Sequence, residues 1–198
     1  MISVPEALGM LAGMLSLVDF FLYYVSILRR KTRPNRATWF ILTLVSLIIF
    51  SSYYSLGARA TAWQPLAYVI GPFITFVLSL KYGQQGWTFF DSLCAGGALF
   101  GLFLWWISGV ALIALLITVF IDFLGMLPTI KKSYLDPLSE EVLPWFVTCI
   151  ACVLNLLAIT AWRFDIGIYP IYMCAVNGTV LALLFLRRGR LVTSGRGG

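Results

Sequence analysis

The sequence contains no histidine, and few of its residues carry a charge. Charged residues make up 11% of the 198, whereas hydrophobic residues make up 61%. A water-soluble domain of this length needs far more polar surface to cover its core. No segment is both polar enough and long enough to form a separate soluble domain. The composition therefore predicts a chain that lies wholly in a membrane.

The chain also lacks the residue patterns of a metal centre or an active site. The Cys149-x-x-Cys152 spacing has no second pair, and no histidine accompanies it. All the cysteines lie within apolar runs, where they are expected to act as small packing residues: Cys94, Cys149, Cys152 and Cys174. We therefore expect no metal, no cofactor and no catalytic residue, and a protein that is not an enzyme.

Apolar runs near 20 residues long recur along the chain, and an α-helix needs about that length to cross the bilayer. The first run starts without the basic region of a cleavable signal peptide and continues to Leu28, so we expect it to be a span. Charges, prolines and glycines divide the sequence into seven predicted spans: 7–28, 38–57, 63–81, 87–107, 109–130, 143–162 and 167–186.

The basic residues sort to one side of these spans. Of the 14 Lys and Arg residues, all but Arg59 and Arg163 follow spans 1, 3, 5 and 7. The positive-inside rule then places the N-terminus outside and the C-terminus in the cytoplasm, which requires an odd number of spans. The net charge of +6 is explained by contact with anionic lipids, and we expect no nucleic-acid partner. Short loops favour a bacterial inner membrane.

An internal repeat relates the two halves of the chain. The offset between copies is 103 at the first aspartate and 106 at the tryptophan, and Pro65 stands 105 residues before Pro170. The first copy carries Asp19, Arg29-Arg30, Pro34 and Trp39, and the second carries Asp122, Lys131-Lys132, Pro137 and Trp145.

The repeat predicts an all-α membrane protein of seven transmembrane helices, arranged as two parallel three-helix bundles joined by a linker helix. The predicted parts are residues 1–84, 85–108 and 109–198, the last ending in a short basic tail. The linker carries Gly97 and Gly101 at a spacing suited to close helix packing. Parallel repeats of this kind are a recurrent transporter plan, with the substrate bound between them near the midplane.

The segment from Asp122 through Pro128-Thr129 to Lys131-Lys132, followed by Trp145, resembles a PQ-loop repeat. The pair at its centre is Pro-Thr in place of Pro-Gln, and the first copy has Val25-Ser26 there. Ala175-Val176-Asn177-Gly178 is similar to the asparagine motif of the SWEET sugar transporters, whereas span 3 has Gly71-Pro72. Resemblance to the PQ-loop and SWEET superfamily implies a 3+1+3 transporter and a substrate contact at Asn177.

Asp19 and Asp122 are the first candidate site residues. Each precedes the cytoplasmic basic pair by about ten residues, which places it roughly 15 Å deep in the membrane. A charge at that depth normally faces a polar cavity or the bundle interior. Three roles stay open: binding a proton or cation, contacting a cationic or hydroxylated substrate directly, and a structural hydrogen bond to a neighbouring helix.

Two amides and two prolines complete the predicted site. Asn177 and Asn155 lie well inside spans 7 and 6, and an amide offers both donors and an acceptor to a substrate. Their alternative role is an interhelical hydrogen bond. Pro128 and Pro72 lie within spans, where a proline frees a carbonyl and allows a hinge.

These features predict a membrane transporter that moves a small polar solute by alternating access. A sugar is the first candidate because of Asn177, and a proton-coupled amino-acid or cationic-solute transporter is the alternative. An intramembrane aspartyl protease is disfavoured because neither Asp19 nor Asp122 follows a Gly-x-Gly sequence. A ligand-binding receptor or sorting protein on the same fold stays open. The expected partners are the solute and membrane lipids, with a homo-oligomer as an open alternative to a monomer.

Overall fold

The computed structural model describes residues 3–31, 34, 36–83, 89–108, 110–135, 137–139 and 141–194. For parts of α2 and α4, the end of α5 and the end of α7, it describes the backbone without the side chains. Seven α-helices make up nearly all of the described chain: α1 (Val4–Leu28), α2 (Arg36–Ser55), α3 (Trp63–Tyr82), α4 (Phe89–Ser108), α5 (Ala111–Leu135), α6 (Val142–Leu157) and α7 (Phe164–Ser194). Two short 3-10 turns, Ala60–Ala62 and Pro137–Ser139, precede α3 and α6.

Local sequence explains where several helices begin and end. α1 starts with a capping box, in which Ser3 and Glu6 satisfy each other's backbone N–H groups. After α2, Gly57 adopts a φ of 82°, a left-handed conformation that glycine reaches without steric cost. α3 runs through Pro72 and α7 through Pro170 without ending.

The predicted number of helices is confirmed in the described residues, and the predicted boundaries hold to within a few residues except at three helix ends. α5 continues past residue 130 to Leu135. α6 ends at Leu157, although the apolar run continues to residue 162, and α7 extends to Ser194 beyond the predicted end at 186. Hydropathy measures the preference of a segment for lipid. Where a helix ends depends instead on hydrogen bonds, so a helix can continue beyond its apolar run or end within it.

Three helices are long and apolar enough to cross a membrane: Val4–Leu28, Ala60–Tyr82 and Phe164–Gly189. The apolar segments Trp39–Ser55, Ala111–Met126 and Val142–Leu157 are shorter. These lengths refer to the described residues, and the seven-span topology stays a prediction.

The third helix of each predicted repeat packs between the other two. α3 contacts both α1 and α2, and α7 contacts both α5 and α6. Across the repeats, α1 packs against α6 and α2 packs against α5, while α4 contacts α5 and α2. The first helix of each repeat therefore meets the second helix of the other.

The ends of the helices that carry most of the basic residues meet at one end of the molecule. Lys31, after α1, lies 4.0 Å from the carboxylate of Glu141, before α6. Arg36 at the start of α2 donates to the carbonyl of Ser79 near the end of α3. Near the end of α7, Arg187 donates to a carbonyl at the end of α5.

Apolar side chains cover the outside of the molecule, and the interior combines a hydrophobic core with many buried polar side chains. Large hydrophobic side chains are exposed along the outer faces of the helices, for example Leu17, Phe21, Phe73, Val77, Phe103, Trp106, Phe146, Val153 and Phe185. Polar side chains are buried inside, including Ser16, Ser52, Gln64, Thr75, Thr118, Thr148, Asn155 and Asn177.

Candidate solute-binding site

Asp19 lies on the face of α1 that packs against α6. Its carboxylate accepts a hydrogen bond from the hydroxyl of Thr148 at 2.6 Å. The side chain is half-buried, so it is not sealed in apolar packing. Because Thr148 belongs to the opposite repeat, this bond connects the two halves of the chain directly.

Asp122 is the repeat equivalent of Asp19, but its surroundings differ. Its carboxylate accepts a hydrogen bond from the hydroxyl of Tyr172 on α7, within the same repeat. It too is half-buried. Both carboxylates are thus held by hydroxyl groups, one across the repeats and one inside a repeat.

Tyrosine side chains lie near both carboxylates. The ring of Tyr68 on α3 meets the ring of Phe20, the residue after Asp19, edge-on with the centroids 5.3 Å apart. Tyr172 on α7 donates its hydroxyl to Asp122. We call the interior around these two aspartates the interior region.

The inward face of α6 carries a polar stripe of Thr148, Cys152 and Asn155, spaced about one turn apart and all buried. The sulfur of Cys152 lies 3.5 Å from the amide nitrogen of Gln64 on α3 and 3.9 Å from that of Asn177 on α7. The stripe therefore brings polar groups from α1, α3 and α7 to a single helix face.

The two predicted amides are in different states. The amide nitrogen of Asn177 donates to the carbonyl of Met173 in its own helix at 2.8 Å. Asn155 is 0% exposed, and neither its amide nitrogen nor its amide oxygen has a hydrogen-bond partner among the described residues. The interhelical hydrogen bond that was the alternative role of Asn155 is therefore not made in this conformation.

Of the two predicted hinges, Pro72 is buried inside α3, one turn after Tyr68. Pro72 lacks the N–H that would bond the Tyr68 carbonyl, so α3 carries a weak point beside the carboxylates. The side chain of Pro128 lies outside those described, although α5 continues as a helix across it. Cys94 likewise lies outside the described side chains.

A cleft of about 550 Å³ opens at the end of the molecule where α1 begins. Glu6, Tyr54, Arg59 and Trp63 are among its lining residues, and none of the predicted site residues lines it. Arg59 donates to the Tyr54 hydroxyl at 2.7 Å and stacks over its ring. The cleft is thus a feature of the surface, separate from the interior polar region.

The sequence prediction missed several residues of the interior region, namely Ser16, Gln64, Thr148 and Tyr172. Thr148 could most easily have been predicted, because it stands seven residues before Asn155 and so shares its helix face. Tyr172 follows Pro170 by two residues with no polar pattern around it. Only the contact with Asp122 marks it.

Within the described residues, no three Cys, Asp or Glu side chains lie close enough together to hold a metal ion. Comparison with protein-family models, with curated proteins and with solved structures gives no match for this chain. Any statement about function therefore depends on the site itself.

Proposed function

We propose that the chain is an integral membrane transporter that moves a small polar solute by alternating access. The observation that carries this proposal is a polar interior, built by both repeats around two carboxylates, beneath an apolar exterior. Lipid is the solvent in which exposed Leu, Phe and Trp are stable and in which buried polar groups must be satisfied internally.

The helix contacts support two equivalent three-helix bundles joined by α4. The third helix of each repeat packs between the other two, and the contacts of α1 with α6 and of α2 with α5 are related by the repeat. Two such bundles meeting at paired interfaces can rock against each other about a site between them. The resemblance to the PQ-loop and SWEET superfamily agrees with this plan.

A sugar is the first candidate solute, because the interior offers neutral amides and hydroxyls at Asn155, Gln64 and Thr148. The carboxylates favour a second candidate, a proton-coupled transporter for an amino acid or other cation. The hydrogen bonds described at Asp19 and Asp122 come from hydroxyl groups. Each carboxylate therefore retains the capacity to bind a proton or a cationic group.

The test is solute flux in proteoliposomes containing the purified protein. Uptake of radiolabelled glucose, sucrose, lysine and choline is measured with and without an inward proton gradient. Saturable sugar uptake without a gradient supports the first candidate, and gradient-driven lysine or choline uptake supports the second. Ligand binding with no flux under any gradient would indicate a receptor and contradict the transporter proposal.

A further inference from the structure

Three buried polar residues on α1, α3 and α6 carry side-chain atoms with no hydrogen-bond partner among the described residues. These atoms are the hydroxyl of Ser16, the amide oxygen of Gln64 and both amide atoms of Asn155. Each of the three residues is 0% exposed. We call Ser16, Gln64 and Asn155 the outer polar cluster. Buried polar groups are normally paired, so an unpaired cluster on three contacting helices requires an explanation.

The contacts of α1 and α6 place this cluster on one side of Asp19. Along α1, Ser16 lies one turn before Asp19, in the direction of the helix start. Along α6, the Asp19 partner Thr148 is followed by Cys152, which contacts Gln64 on α3 at 3.5 Å.

The contacts of the start of α3 show in which direction the cluster extends from Asp19. A Cβ atom at Gly13 of α1 would lie 2.8 Å from the carbonyl oxygen of Trp63, the neighbour of Gln64. The helices α1 and α6 therefore run antiparallel, and the cluster extends from Asp19 towards the N-terminal end of α1. That end is the predicted outer face of the protein.

Two of the repeat equivalents of the cluster are aliphatic, and the third is a tyrosine. Offsets of 103, 105 and 106 residues relate Ser16 to Val119, Gln64 to Tyr169, and Asn155 to Ile49. Tyr169 and Ile49 belong to the buried hydrophobic core, and Val119 packs against it. At these equivalent positions α2 and α5 carry packed hydrophobic side chains, whereas α1 and α6 carry polar atoms without a partner. The hydroxyl of Ser52 on α2 is also buried without a partner, but it is not a repeat equivalent of the cluster.

The two interfaces respond oppositely to opening. Separating α2 from α5 exposes packed apolar side chains to water, which is unfavourable in proportion to their area. Separating α1 from α6 lets water or a ligand satisfy the polar atoms that have no partner in this conformation, which is favourable. Opening at the outer end is therefore expected at the α1–α6 interface.

We propose that the outer polar cluster is a subsite for a hydroxyl group, exposed when α1 separates from α6 at the outer face. The inference rests on the proposed transport function. The cluster is uncharged and combines a donor, acceptors and a hydroxyl, so it matches a group that both donates and accepts. Water and a hydroxyl of the entering solute share that chemistry, and the experiment must distinguish them.

The test uses cysteine labelling in membrane vesicles with the outer face outward. Ser16→Cys and Asn155→Cys are compared with their repeat-matched controls, Val119→Cys and Ile49→Cys. An impermeant maleimide reacts with the thiolate, which forms where water reaches the sulfur. The variants are made in a background that replaces every native cysteine by alanine, at Cys94, Cys149, Cys152 and Cys174.

We expect positions 16 and 155 to label at least tenfold faster than positions 119 and 49. We also expect glucose, sucrose or glycerol to slow this labelling, and choline at equal osmolarity to leave it unchanged. Equal labelling at all four positions overturns the proposal. Labelling that no polyol slows indicates water alone and overturns the assignment of a solute hydroxyl.

Hydrogen exchange on the unmodified protein gives a second measurement, independent of cysteine variants. Backbone amides of residues 13–19 and 152–157 are expected to exchange faster than those of 45–52 and 115–122, and the reverse order overturns the proposal. Flux in the cysteine-free parent separates the two hypotheses. If polyols slow the labelling but no flux is measured, the subsite proposal stands and the transport proposal is wrong. If flux is measured but the cluster is not labelled, only the subsite proposal is wrong.

Discussion

The hydroxyl of Tyr53 on α2 donates a hydrogen bond to the backbone carbonyl of Ile166 on α7. That carbonyl is the one that Pro170, four residues later, leaves without its helical N–H partner. A tyrosine of the first repeat therefore satisfies the backbone of a proline-containing helix of the second. Both residues are buried, so water is not available as a substitute.

Tyr53→Phe removes only the hydroxyl, and we expect it to lower the free energy of unfolding by about 1–3 kcal/mol, the cost of an unpaired buried carbonyl. The measurement is thermal unfolding of the purified protein in detergent. Tyr54→Phe, at an exposed neighbour, serves as the control and is expected to have little effect. Pro170→Ala restores the missing N–H, so it should recover most of the loss in the Tyr53→Phe background. Equal losses in both backgrounds would contradict this account.

Gly9 allows α1 to approach the turn before α3. A Cβ atom there would overlap the carbonyl oxygen of Ala60, which belongs to the backbone and cannot rotate away. We expect Gly9→Ala to destabilise the protein by about 1–3 kcal/mol or more through overpacking.

Gly178 provides the matched control for Gly9. A Cβ atom at Gly178 meets no atom within 4 Å in the structure. Gly178→Ala should therefore be neutral or stabilise by about 0.5–1 kcal/mol, because alanine loses less backbone entropy in a helix. The same unfolding assay compares the two variants. Similar midpoints for both would show that the contact of α1 with the Ala60 turn does not constrain the fold.

Asp19→Asn and Asp122→Asn test whether the interior carboxylates couple transport to protons. If the carboxylates bind protons, the gradient-driven uptake rate of each variant should be at least tenfold lower than that of the unmodified protein. Solute binding should be retained. Asp165→Asn is the control, because the carboxylate of Asp165 is already paired with Arg163 at the start of α7. Full gradient-driven uptake by both interior variants would assign Asp19 and Asp122 a structural role.

Pro72→Ala tests the predicted hinge in α3. The substitution returns an N–H to the Tyr68 carbonyl, so we expect unchanged or higher thermal stability together with several-fold slower uptake. Pro65→Ala is the control, since Pro65 lies in the first turn of α3, where no intrahelical N–H bond is lost. If the uptake rate does not change in the Pro72→Ala variant, Pro72 is not a hinge for transport.

The number of helices follows from the sequence because each helix coincides with an apolar run, which is a local property of the chain. The depth of Asp19 and Asp122 in a membrane stays a prediction. The end of α7 does not follow, because Arg187 and Arg188 extend the helix by bonding the carbonyls of Tyr134 and Pro137. Those partners are 53 and 51 residues away in sequence.

The site follows from the sequence only in part. The repeat predicts that Asp19 and Asp122 occupy equivalent positions, and it gives no reason for their different partners. Thr148 reaches Asp19 because α1 packs on α6, whereas Tyr172 reaches Asp122 because α5 packs on α7. Choice of partner is decided by which side chains meet after the helices have packed. A duplicated pattern in a single sequence does not contain that information.

The bond between Asp19 and Thr148 also has a consequence for biosynthesis. The two residues are 129 positions apart, so at about 5–20 residues per second α1 precedes its partner by roughly 6–26 s. Throughout that interval, while α2 to α5 are being made, Asp19 lacks the hydroxyl that holds it. The α1–α6 interface is thus the last of the major contacts of α1 to form, and a ribosome that stalls before α6 leaves that carboxyl without its partner.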